Sequence, residues 1–150
     1  VKKLENNPFF DNLKININFK GRTLEFNNSI FLNRKIANLI VKKGILYEDK
    51  NNIIFKSNVD FVINDLDKFF NKFVVPKKNR HDLKKISFEI LTNLTTNDLK
   101  ILNITNESFK NKEFPEIDEL IYEFNSGSVK VSNWIEFKLF ANKIISYYAG

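Results

Sequence analysis

The sequence predicts an α+β fold, with a small N-terminal antiparallel or mixed sheet, packed helices and a mostly helical C-terminal half. Three observations predict it. Residues 13–19, LKININF, alternate strictly between apolar and polar, the two-residue period of a strand. Residues 59–73 place Val59, Val62, Ile63, Leu66, Phe69, Phe70 and Phe73 on one side of a helix, with Asp60, Asn64, Asp65, Asp67, Asn71 and Lys72 on the other. Residues 133–148 are apolar over a wide arc, as a central core helix is.

The elements follow in order. Residues 1–12 form a lead-in. Leu13, Ile15, Ile17 and Phe19 face the core from a first strand. Lys20-Gly21-Arg22 turns the chain, and TLEF returns it with Leu24 and Phe26 inward, giving a β-hairpin. Asn28 or Ser29 caps a helix over residues 29–43, carried by Ile36, Leu39, Ile40 and Lys43 and terminated by Gly44. ILY and NNIIF are strand-like pieces around the polar EDKNN. Ser57 or Asn58 opens the second helix, 58–73. Pro76 and KKNRHD form a loop, and 76–82 is the best internal boundary of a chain otherwise predicted to be one domain, 1–150. Helices follow at 82–91 (Leu83, Ile86, Ile90, Leu91) and 97–103 (Leu99, Leu102). Residues 105–114 are irregular. Pro115 opens a helix in its favoured first position, with Glu116, Asp118 and Glu119 where the helix dipole favours them. Asn125-Ser126-Gly127 ends it, VKV is a short strand, and the last helix carries Trp134, Ile135, Phe137, Leu139, Phe140, Ile144, Ile145, Tyr147 and Tyr148.

Composition narrows the function. The chain has 150 residues and 16 phenylalanines, enough for a sizeable core. No run of about 18 uncharged apolar residues exists, so no membrane span is expected. There is no cysteine and one histidine, His81. Disulfides and cysteine-ligated zinc are excluded, and neither a metal nor a cofactor is expected. Zero cysteine fits a reducing interior, so the expected location is intracellular, in cytoplasm or nucleus. The net charge is +6, but Arg22, Arg34 and Arg80 are the only arginines among 24 basic residues. Lysine, asparagine, isoleucine and phenylalanine are all abundant, the pattern of an A+T-rich genome. Codon usage explains much of the lysine.

Few residues are arranged for chemistry. The four glycines, at 21, 44, 127 and 150, are isolated, so no phosphate-cradling loop exists. His81-Asp82 are adjacent, a poor geometry for orienting a base. Glu116, Asp118, Glu119 and Glu123 read as the solvated first turns of a helix. The sharper reading sets Asp118 or Glu123 beside Glu136-Phe137-Lys138, which resembles the magnesium site of restriction-type nucleases. Helical periodicity around that triplet argues against it. NLTTND suggests a helix-turn-helix, but Lys100 is the sole basic residue of its second helix.

The segments FKGRTLEFNNSIFLNRKIANLI, NNIIFKSNVDFVINDLDKFFNKF and DLKKISFEILTNLTTNDLKIL, within residues 13–103, resemble the BTB/POZ domain. That resemblance implies a non-enzymatic interaction module, an adaptor or self-associating scaffold, whose partner is a protein or a second copy. Asn27-Asn28 stand where the family's usual His and Asp fall. The expected interface is aromatic: Phe69, Phe70 and Phe73 on one helix, Trp134, Tyr147 and Tyr148 on the last. The alternative is nucleic-acid binding, with Lys77, Lys78, Arg80, Lys84 and Lys85 contacting phosphates.

Overall fold

The structure, a computed structural model, describes residues 2–3, 9–107, 115–128 and 134–149. Its strands are β1 (Lys2–Lys3), β2 (Asn12–Lys14), β3 (Asn18–Lys20), β4 (Thr23–Glu25), β5 (Ser29–Leu32), β6 (Ala37–Asp49) and β7 (Asn52–Ile63), then β8 (Lys85–Asn93) and β9 (Asp98–Thr105). The helices are α1 (Leu66–Phe73), α2 (Pro115–Glu123) and α3 (Trp134–Ala149). All nine strands join one antiparallel sheet, ordered β1-β2-β5-β6-β7-β8-β9, with β4 also pairing β6 and β3 pairing β4.

The fold is therefore dominated by its sheet, which corrects the expectation of a small sheet and a mostly helical second half. The helix expected over 29–43 is β5 and the first part of β6. The first half of the helix expected at 58–73 is β7, and the helices expected at 82–91 and 97–103 are β8 and β9. The physical reason is visible in β6. Ala37, Leu39 and Val41 face the helices, while Asn38 and Ile40 face away. With apolar residues on both sides the two-residue alternation is hidden, and Ile36, Leu39 and Ile40 match a helical spacing by accident. The last two helices lie where the sequence places them, and α1 occupies the second half of its expected span. VKV and residues 108–114 lie outside the described residues.

Turn chemistry sets the register. Lys50 and Asn51 both adopt left-handed φ, at 47° and 66°, which is the type I′ pattern suited to the twist of the β6–β7 hairpin. Gly21 does the same at φ 61° between β3 and β4. Between β5 and β6, buried Asn33 accepts from the amides of Lys35 and Ile36 and donates to the Phe9 carbonyl at 2.6 Å. Gly44 is not a helix terminator. It lies within β6, where an added Cβ would meet Val41 at 2.9 Å and the Phe55 ring at 3.0 Å.

The core lies between one face of the sheet and the helices. Asp65 caps α1 by accepting from the Lys68 amide at 3.0 Å, and the Lys68 ammonium beside it holds its carboxyl below the usual range. Phe69 and Phe73 stack at 4.9 Å, and Phe69 meets Phe61 of β7 at 5.5 Å. In α3, Phe140, Ile144, Ile145 and Tyr148 recur at helical spacing and are buried. The Tyr148 hydroxyl donates to the Ile104 carbonyl at 2.9 Å, so α3 is tied to β9. Asn142 donates to the carbonyls of Phe73 and Val74, tying α3 to the end of α1. No helix among the described residues is long and apolar enough to cross a membrane.

Candidate apolar binding site

The sheet and helices do not close on one another completely. Between them lies a cavity of about 460 Å³. Phe61 and Val59 of β7, Ile86 and Phe88 of β8 and Leu99 of β9 form its floor. Phe69 and Phe73 of α1 and Phe140, Ile144 and Ile145 of α3 form its roof. Phe9 and Phe124 close further sides, with Phe124 stacked on Phe140 at 5.0 Å. Every described lining residue is Phe, Leu, Ile, Val or Ala. Leu39, Phe88, Leu99 and Phe137 are only half-buried, so solvent reaches part of the lining.

The cavity exists because of side-chain shape. Aromatic rings are rigid plates that leave gaps where they meet a curved sheet. On the sheet side, alternation keeps the apolar members inward. Ile86, Phe88 and Ile90 of β8 line the cavity, while Ser87 and Glu89 face away. The outward face has its own polar network. Asp60 accepts from Ser87 at 2.7 Å, and Lys85 lies between Asp60 and Glu107, which together raise its pKa. Glu89 likewise raises the pKa of Lys56, 2.8 Å away.

The residues expected to form an aromatic interface are placed elsewhere. Phe69, Phe70, Phe73 and Tyr148 are buried, Phe69 to 1% exposure. They build the core and offer no surface. Tyr147 is half-buried, with its hydroxyl 3.4 Å from Glu116, and burial and that carboxylate raise its pKa. The side chain of Trp134 lies outside the described residues. The exposed apolar positions on the last helices are Ile135 at 69%, Leu139 at 61% and Tyr122. Ile135 and Leu139 were legible as apolar, but the wide arc of α3 hid which members face outward.

The members of the basic run differ in their surroundings. Arg80 donates to the Val75 carbonyl and to Asn71, both at 2.9 Å, and lies over the Phe70 ring, so it closes the end of α1. Lys85 belongs to the outward face of the sheet, and Lys84 sits 3.7 Å from Asp82. Lys77 and Lys78 are exposed on a single 3-10 turn. Of the five, Lys77, Lys78 and Lys84 are exposed, while Arg80 and Lys85 are partly buried. His81 is exposed. Glu136 and Lys138 are on α3, Glu123 pairs with Lys143 at 2.7 Å, and no metal-binding cluster of acidic residues or histidine occurs among the described residues.

The cavity is the element that sequence reasoning missed. Its lining was legible residue by residue as core, but a void is a property of the packing and leaves no periodic trace. No protein family, curated protein or solved structure matches this chain.

Proposed function

We propose that this chain is a non-enzymatic binding module that holds an uncharged, apolar ligand between its sheet and its helices. The observation that carries the reading is the cavity of about 460 Å³ with a wholly apolar described lining. That volume lies in the range of small-molecule sites, roughly 300–1,000 Å³. A charged ligand group would lose its hydration there without a described partner, a loss of several kcal/mol on the order of an unpaired buried ion. The same lining offers no described acid, base or nucleophile, so the site suits retention rather than turnover.

The test uses N-phenyl-1-naphthylamine, an uncharged fluorescent probe. Saturable enhancement with one site per chain is expected. Ile144→Trp places an indole in the cavity and should weaken probe binding about tenfold or more, which corresponds to about 1.4 kcal/mol. Absence of enhancement, or full binding by a folded Ile144→Trp protein, would overturn the reading.

A second reading rests on a different surface. Ile135 and Leu139 lie one turn apart on α3 and are 69% and 61% exposed, a step that suits contact with a protein partner. Replacing both with Lys should abolish such binding and leave probe uptake intact, whereas a cavity function predicts no change in either.

A further inference from the structure

The floor of the cavity runs obliquely across the sheet. Residues opposite one another on paired strands share a face, so the helix-facing side reads as successive rows. In the row of Leu39, Phe61 and Ile86, all three line the cavity. In the next row Val59 and Phe88 line it, while Val41 and Ile104 at its two ends do not. In the third, Ile90 and Ile101 line it, while Gly44 and Ser57 do not. In the fourth, Leu99 lines it and its partner Thr92 does not. The lining thus passes from β6 to β9 while it moves three rows along the strands. With strands about 4.8 Å apart and rows about 6.7 Å apart, Leu39 and Leu99 are separated by about 25 Å on a flat sheet. A volume of about 460 Å³ spread over that length has a mean cross-section on the order of 20 Å². Carbon atoms in contact are about 4 Å apart, so this section admits one hydrocarbon chain and not two abreast.

We propose that the ligand is a single unbranched hydrocarbon chain with one uncharged polar end, lying obliquely across β6–β9. This ligand class rests on the apolar-ligand function proposed above. The polar end belongs at Leu99. Ser57 and Thr92 pair with Ile90 and Leu99, so two hydroxyl-bearing side chains share that end of the face. Leu99 and Thr92 are half-buried, so a polar group there also keeps contact with water. The Leu39 end is aromatic. Phe10 packs against Phe31 and Phe61, the two residues that pair with Leu39, and offers no side-chain hydrogen bond. A two-ring probe fills only part of such a trough, whereas a chain fills its length.

Displacement of N-phenyl-1-naphthylamine by straight-chain alcohols tests this directly. Each added methylene that finds room should raise affinity about fourfold, so 1-dodecanol should displace the probe at least about a hundredfold more tightly than 1-octanol. Cyclododecanol closes the same number of carbons into a ring and should bind at least about tenfold more weakly than 1-dodecanol. Ile90→Trp places an indole across the trough and should reduce the advantage of 1-dodecanol over 1-octanol to less than about tenfold. Leu99→Trp repeats that comparison should Ile90→Trp unfold, with circular dichroism reporting the fold, and the comparisons on the native chain stand whatever the variants do. A native chain that binds the probe but holds 1-octanol or cyclododecanol as tightly as 1-dodecanol overturns the proposal and leaves the apolar-ligand function standing. A folded Trp variant with the native chain-length dependence overturns it too. Failure of the native chain to bind the probe or any of the alcohols overturns both.

Discussion

The β6–β7 hairpin is one ladder with two environments. At its root, Ala37–Val41 pair with Val59–Ile63, and Phe61 packs under Phe9, Phe69 and Phe73. At its tip, Gly44–Asp49 pair with Asn52–Ser57. There Phe55 meets Phe26 edge-on at 5.5 Å, Leu24 and Leu46 are half-buried, and Phe19 is 85% exposed. None of these tip residues joins the core cluster. The alternation is the same along both halves, and so is the ladder. What differs, among the described residues, is whether a helix lies on the apolar face. Strand pairing therefore explains the length of this hairpin, whereas the helices explain where its stability resides.

The largest effect that would break this comparison comes from truncation. Phe69→Ala at the root should cost about 3–5 kcal/mol in urea unfolding. Phe55→Ala, half-buried at the tip, should cost less than half of that, about 1–2 kcal/mol. Equal losses would show that the tip is as much core as the root.

Alkali comes next, and acts on the helix-covered side through Tyr148. Burial pushes the Tyr148 phenol up to about 12. The unfolded chain releases that proton near its ordinary value of about 10, so the folded state holds the proton more tightly between these limits. Stability from this group is complete below pH 10 and is lost as pH rises from about 10 to about 12. Tyr148→Phe should flatten that part of the melting-temperature profile.

A smaller effect sharpens the boundary of the root. Val74 ends α1 with φ 57°, a left-handed conformation strained for a branched residue, and its side chain is exposed. Val74→Gly should relieve the strain and gain about 0.5–1 kcal/mol after the larger entropy of the unfolded glycine is offset. The smallest effect is at the tip. Asn51→Gly suits the type I′ turn and should add a few tenths of a kcal/mol, roughly the scale of a turn propensity. Amide exchange should report it as slower opening of Ile53–Phe55 with no change at Val59–Phe61.

The helices and the turns were largely readable, because each has a local cause. Pro115 with its acidic first turn, the arc of α3, Gly21 and the polar EDKNN all act within a few residues. The strand β5, the first part of β6, the second part of β7, and β8 and β9 were read as helices, because their identity depends on partners far away in sequence. Ile86, Phe88 and Ile90 alternate, yet Leu83, Ile86, Ile90 and Leu91 also fit a helix, and only β7 on one side and β9 on the other decide between them. The bulge that leaves Leu102 unpaired on β9 obscured its alternation further. The cavity depends on rings from α1, α3 and the sheet meeting imperfectly, which no single segment encodes.

The void under α3 also has a mechanical meaning. Where side chains pack imperfectly the folded chain occupies more volume than the unfolded one, and compression favours the smaller state. Hydrostatic pressure should therefore act on the helix-covered half of this molecule, leaving the uncovered end of the β6–β7 hairpin as the less compressible part. A molecule seated in the cavity would fill that volume, so its arrival should register as resistance to pressure even where it adds little to thermal stability.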